Sequence, residues 1–151
     1  MSGRLVVFDF DGVLVAGDSM ASLLRRLIAE RWWKRALAYA AFPFAMPLLL
    51  SKRWLPIGAN VFRRIAFLGL DGREVRDRLE SFGRRLAADP RRARPRAVAA
   101  LREHLAAGDR VVVATGSEER LVQAVLAALG VAGIEVIASQ IEIEPVVRIR
   151  R

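Results

Sequence analysis

Cysteine is absent from the chain of 151 residues, which excludes disulfides, a thiolate nucleophile and cysteine-bound zinc. Histidine occurs once, at His104, within a helical pattern just before Leu105, where a surface or boundary position is expected rather than a catalytic one. Lysine is confined to Lys34 and Lys52. No zinc-finger spacing, aromatic RNA-binding signature or helix-turn-helix pattern is present, so nucleic acid is the least favoured partner. No internal repeat or low-complexity tract stands out. No basic-then-apolar leader precedes the first strand pattern, so a chain without a cleaved secretory signal and a body in the cytoplasm are expected.

Long apolar runs are equally scarce. The uncharged stretch 36–50 would measure about 22 Å as one helix, short of a hydrocarbon core of ~30 Å. Pro43 and Pro47 fall inside it and predict an interruption or kink, which favours a re-entrant or interfacial helical hairpin over a straight crossing. Trp32, Trp33, Lys34 and Arg35 precede it and Lys52, Arg53 and Trp54 follow, a composition suited to a headgroup boundary at the inner face of the cytoplasmic membrane. A buried helical pair or a dimer interface is the alternative.

What is abundant is arginine. The formal charge of +9 favours anionic partners such as phosphate groups or acidic lipid headgroups. The length suits one domain carrying an insertion rather than two complete domains.

The most informative stretch is Leu5 to Leu14. Leu5, Val6 and Val7 form a short apolar run of the kind found in a parallel strand buried on both faces, and the run leads into Phe8-Asp9-Phe10-Asp11-Gly12. Residues two apart on an extended chain share a side, so Asp9 and Asp11 can face one site while Phe10 turns into packing. Such carboxylates can attack phosphorus and move a proton. Gly12 permits a tight turn or a close backbone approach.

Further along, Asp18-Ser19 reads as a cap for a helix carrying Leu23, Leu24, Leu27 and Ile28, running on towards Trp32. A second helical pattern covers Asn60 to Leu70, and Asp71-Gly72 caps a third through Val75, Leu79, Phe82 and Leu86. Asp89 to Pro95, with the Arg91-Arg92-Ala93-Arg94 run, is the best linker candidate, a solvated stretch or a contact for lipid headgroups. A helix from Ala97 to Ala107 stopped by Gly108, a buried strand from Arg110 into Thr115-Gly116-Ser117, a helix from Glu118 to Leu129 and a strand from Ile134 to Ala138 complete the pattern. Ser117 reads as a cap for the helix after it. This alternation predicts an α/β fold, a Rossmann-like parallel sheet with ligands at the carboxyl ends of its strands.

Asp9, Asp11 and Gly12 after the first strand, the apolar strand Val111 to Thr115, and the helical insertion between them resemble the haloacid dehalogenase superfamily. Within it the chain is similar to the phosphoserine phosphatase subgroup, and most similar to the phosphatidylglycerophosphatase C type, through Gly17-Asp18-Ser19, Ala114-Thr115-Gly116-Ser117 with Leu121-Val122, and Ile137-Ala138-Ser139-Gln140-Ile141. The resemblance implies a core of residues 1–16 and 96–151 with a helical cap at 17–95. It implies a phosphatase acting on a phosphomonoester, a phosphorylated small molecule or a lipid phosphate such as phosphatidylglycerophosphate. Asp9 would be the nucleophile, forming an aspartyl-phosphate, and Asp11 the general acid and base. Thr115 and the Gly116 N–H, at a helix amino terminus, would bind phosphate, and Mg²⁺ would sit against the Asp9 carboxylate and the Asp11 carbonyl. Val13 stands where the family most often has threonine.

The resemblance also implies a later Lys or Arg beside the phosphate and a later acidic cluster for the metal. No Asp follows Asp109, and Glu142 and Glu144, the last acids, alternate with Ile141 and Ile143 as on the solvent face of a strand, paired with Arg148 and Arg150 across a turn at Pro145. A core truncated at its carboxyl end is therefore expected, with an open sheet edge that favours association into an oligomer. Two alternatives to the lipid phosphatase are a catalytically silent fragment that binds a membrane or protein partner, and a soluble enzyme like phosphoserine phosphatase.

Overall fold

The computed structural model describes residues 3–131 and 133–140. In chain order the elements are β1 (Leu5–Asp9), α1 (Ser19–Ala29), α2 (Trp32–Leu50), α3 (Leu55–Phe67), α4 (Gly72–Ala88), α5 (Pro95–Ala106), β2 (Arg110–Glu118), α6 (Glu119–Ala128) and β3 (Glu135–Ser139). Glu142, Glu144, Arg148 and Arg150 lie outside the described residues, as does the strand pairing expected for them.

The described strands form one parallel sheet in the order β1-β2-β3, the α/β architecture expected. Leu5 pairs with Arg110 and Asp9 with Ala114, while Val112 pairs with Glu135 and Ala114 with Ile137. Val111, Val112 and Val113 are buried in the central strand. Crossovers that step in one direction across a parallel sheet, each right-handed, put their helices on one face. That face receives α5 and α6 and buries Val98, Leu101, Leu121, Val122, Val125 and Leu126. On the other face Leu5 is 62% exposed and Val7 59%, so β1 is not covered on both faces, as its unbroken apolar run implies, but lies at the edge of the described sheet.

The chain forms two compact units. One comprises the residues up to Met20 and from Asp71 onward, the other Ala21 to Leu70. α4 and the arginine tract belong to the sheet's unit. Two sets of contacts hold them there. Asp71 accepts from the N–H groups of Arg73 and Glu74 while Glu74 accepts from the Asp71 N–H, a reciprocal cap that starts α4 and turns Val75, Leu79, Phe82 and Leu86 inward. At Gly83 an added Cβ would stand 2.8 Å from Ala124 Cβ and 2.8 Å from the Leu121 carbonyl oxygen, so α4 lies on α6 with no room for a side chain. The supposed linker is paired as well. Ala16 N–H donates to Arg92 O at 2.7 Å and Arg94 N–H to Leu14 O at 3.0 Å, with Val15 bridged antiparallel to Ala93. A buried loop whose backbone groups need partners has found them in the tract that composition marks as solvated.

In the second unit, α2 and α3 form a helical hairpin that turns at 51–54. Pro43 and Pro47 do not interrupt α2, contrary to the expectation from sequence. Proline removes a donor and crowds the carbonyl four residues back, but its fixed φ is itself near helical, so a helix packed along a partner can continue through it. Gly58 allows the close approach, since a Cβ there would lie 3.0 to 3.2 Å from Leu48 and Leu49 atoms. Lys34, 4% exposed, donates from Nζ to Ala66 O at 2.6 Å, satisfying a carbonyl at the negative end of α3.

The α4–α6 contact yields a stability prediction. Gly83→Ala gains about 1 kcal/mol of helix propensity but forces backbone apart at a typical cost of about 1–3 kcal/mol. Thermal melts should show a net loss. Gly72→Ala, where nothing lies within 4 Å of the added carbon, should show none.

Candidate active site

The register of β1 against β2 puts Asp9 beside Ala114, one residue before Thr115. Asp9 is exposed at the strand's carboxyl end, and among the described residues no hydrogen bond or ion pair holds its carboxylate. Phe10 is 0% exposed, so the chain alternates there as an extended segment should. After Asp11 the backbone turns at Gly12, with φ +83°, and the Gly12 N–H donates to Val15 O at 2.7 Å. That left-handed turn suits glycine because it has no Cβ to clash.

Asp11 is tied on both carboxylate oxygens. Oδ1 accepts from the Ser19 N–H, at the start of α1, at 2.8 Å, and Oδ2 accepts from Ser117 Oγ at 2.6 Å. Ser19 Oγ and Ser117 Oγ are 2.9 Å apart. The backbone N–H of Ser117 donates to Thr115 Oγ1 at 3.1 Å. The structure therefore brings Asp11 and Thr115 together through one residue, Ser117, that sequence reasoning assigned to a helix cap. The signal was present, since Thr115 and Ser117 stand two apart as Asp9 and Asp11 do, and the same parity applies to both pairs.

Two details of the expected phosphate site are corrected. β2 does not end at Thr115 but runs on to Glu118 with an irregularity between Ala114 and Glu118, so Gly116 lies in that irregular stretch and not at a helix amino terminus. The cap of α6 is Glu118, not Ser117, its side chain accepting from the Leu121 N–H at 3.0 Å. Nothing lies within 4 Å of where a Gly116 Cβ would stand, which leaves that backbone open to a ligand. Beside the Asp11 turn is a cleft of about 680 Å³ bordered by Gly12, Val13, Arg91, Arg94 and Arg96, a positive surroundings for an anion. His104 bonds Asp109 through Nδ1 at 2.9 Å and takes no part in the site.

Magnesium generally takes six oxygen ligands, several of them water, anchored by one or two carboxylates and a substrate phosphate. Among the described residues no group of three or more His, Asp or Glu side chains gathers to hold a metal ion. Asp9, Asp11 and a backbone carbonyl fall short of a full set of ligands, so the described residues do not by themselves fit the ion.

A family model described as haloacid dehalogenase-like hydrolase matches residues 6–150. A solved structure of a protein with unknown function from Bordetella pertussis Tohama I is similar over 94% of this chain, with 21% sequence identity and a TM-score of 0.49, and this chain spans 62% of that one's length. No curated protein matches.

Burial pushes the Glu118 carboxyl above the ordinary glutamate range, opposed by its bond from Leu121 N–H. A raised folded-state pKa adds stability that is complete below the unfolded value of about 4.3 and is lost as pH rises through the folded value. Glu118→Gln keeps an oxygen to cap α6 and removes the titration. The melting temperature at pH 4 minus that at pH 7 should therefore be smaller, or more negative, in the variant than in the parent.

Proposed function

The chain belongs to the haloacid dehalogenase-like hydrolase family, and on that premise we propose that it is a phosphatase that opens a phosphomonoester through an aspartyl-phosphate. An Asp9 oxygen attacks phosphorus as the ester P–O bond breaks, and Asp11 gives its proton to the departing oxygen. Water then attacks phosphorus, Asp11 takes the water's proton, and the bond from phosphorus to Asp9 breaks. The Thr115 hydroxyl and the Gly116 N–H hold the phosphoryl oxygens. The family generally uses Mg²⁺, and no step here is routed through it. The observation that carries this reading is the Ser117–Asp11 bond of 2.6 Å, spanning 106 positions of sequence, which holds the end of β2 against the exit of β1.

Phosphate release from a phosphomonoester in Mg²⁺ buffer tests the assignment. Asp9→Asn should lower it by about 10³-fold or more, and parental activity in that variant would remove Asp9 as the nucleophile.

A lipid phosphate presented at an anionic membrane surface is the substrate class that the second unit favours. No described helix is long and apolar enough to cross a membrane. Yet α2 leaves Tyr39 78%, Phe44 80% and Leu50 77% exposed, with Trp32 at 74% near Arg31 and Arg35, and Trp54 beside Lys52 and Arg53. Exposed apolar side chains on a helix that is uncharged between basic residues and tryptophan at its ends suit a headgroup boundary. Burying one such side chain is worth about 1.5–3 kcal/mol. Phe44→Ser with Leu50→Ser should cut flotation with anionic vesicles by about tenfold or more; unchanged flotation removes this helix from the membrane contact, and a parent protein that does not float leaves a soluble phosphomonoester. Flotation without any phosphate release would instead favour a membrane-binding module, in keeping with the incomplete metal site.

A further inference from the structure

Behind Asp11 lies a pair of buried serines, Ser19 and Ser117, joined to each other and to its carboxylate by short hydrogen bonds. We propose that Ser117 is a positioning residue which, backed by Ser19, clamps the Asp11 carboxylate in the one orientation that allows it to serve as acid in the first half-reaction and base in the second. This rests on the reading of Asp11 given above.

The hydroxyls are enclosed, Ser19 being 0% and Ser117 2% exposed, so they have little water to fall back on and must be satisfied by each other and by Asp11. Ser117 has a single hydroxyl hydrogen. With Asp11 ionised that hydrogen goes to Oδ2, and the hydrogen between the two serines comes from Ser19. The result is a directed chain from Ser19 through Ser117 to Asp11. On the other side the Ser19 N–H, at the amino end of an eleven-residue helix, holds Oδ1. The carboxylate plane is then fixed by two bonds from opposite oxygens and cannot rotate without losing one.

Each carboxylate oxygen offers about two acceptor sites. One site per oxygen is taken by the clamp, leaving another for the proton that passes to the leaving oxygen or comes from water. The bonds hold the group without consuming its capacity to carry that proton. Ser117 also supplies its backbone N–H to Thr115 Oγ1, so one residue registers the hydroxyl proposed to bind phosphate and the carboxyl proposed to move the proton. Ser117→Ala removes only the second link, because the backbone N–H survives.

The test compares a substrate that needs help to leave with one that does not. An alkyl phosphate expels a strongly basic alkoxide and depends on Asp11, whereas p-nitrophenyl phosphate expels a weakly basic phenolate. In Ser117→Ala, kcat for the alkyl phosphate should fall by about 10²-fold with KM nearly unchanged, while kcat for p-nitrophenyl phosphate falls by about threefold or less. Ser117→Thr should recover most of the loss. In an Asp11→Asn background Ser117→Ala should add nothing further. Equal losses on both substrates, a change confined to KM, or a full additional loss on top of Asp11→Asn would overturn the clamp. If Ser117→Ala does not melt cooperatively, Ser19→Ala reads the same split at smaller size, because it removes the hydroxyl behind Ser117 and keeps the N–H on Asp11; the absence of a split there also overturns it. A parent protein that releases no phosphate from either substrate counts against the phosphatase reading itself, whereas an active parent with an unaltered Ser117→Ala counts against the clamp alone.

Discussion

Three structural elements meet at the carboxylate of Asp11, one of them from far along the chain. The exit of β1 supplies the group, the start of α1 donates a backbone N–H to one oxygen, and the end of β2 donates a hydroxyl to the other. Hydrogen bonds to a charged acceptor are worth about 1.5–3 kcal/mol each, more than neutral ones. Their larger consequence is geometric. Parallel pairing of β1 with β2 sets the register, but side-chain bonds beyond the paired residues decide where the last turns of backbone go, and with them where Thr115 and Gly116 stand.

The same constraint explains the course of the loop after β1. Gly12 turns through a left-handed conformation, Leu14 and Val15 are 0% exposed, and their segment needs partners for backbone groups that water does not reach. Those partners come from Leu14 and Ala16 bonding to the arginine tract. A polar, proline-flanked run is thereby held beside the candidate site, and two of its arginines, Arg91 and Arg94, border the cleft there with Arg96 of α5. Arginine enrichment read as net charge gives a class of partner; read as position it gives a site for one.

The helical hairpin of the second unit follows a different logic. Its inner contacts are made by small residues and by a buried lysine that meets an orphan carbonyl at the end of α3. Several of its large apolar side chains are left on the outside: the hairpin buries Ala45, Gly58 and Ala66 and exposes Tyr39, Phe44 and Leu50.

The fold class was legible because strand and helix periodicities differ and the chain keeps to one at a time: Val111 to Val113 without polar alternation, and Val75, Leu79, Phe82 and Leu86 at helical spacing. Asp71 was legible as a cap because its partner lies three residues away. Each of these is a local regularity, carried by neighbours in sequence. What only the tertiary structure decided are the long-range pairings: Ser117 to Asp11 instead of to its own helix, Ala93 to Val15 instead of to solvent, α4 to α6, and the exposed face of β1. A hydroxyl, a backbone N–H or an apolar run carries the same chemistry whichever partner it finds, and that choice is made by the packing of segments far apart in the chain, which no local pattern encodes.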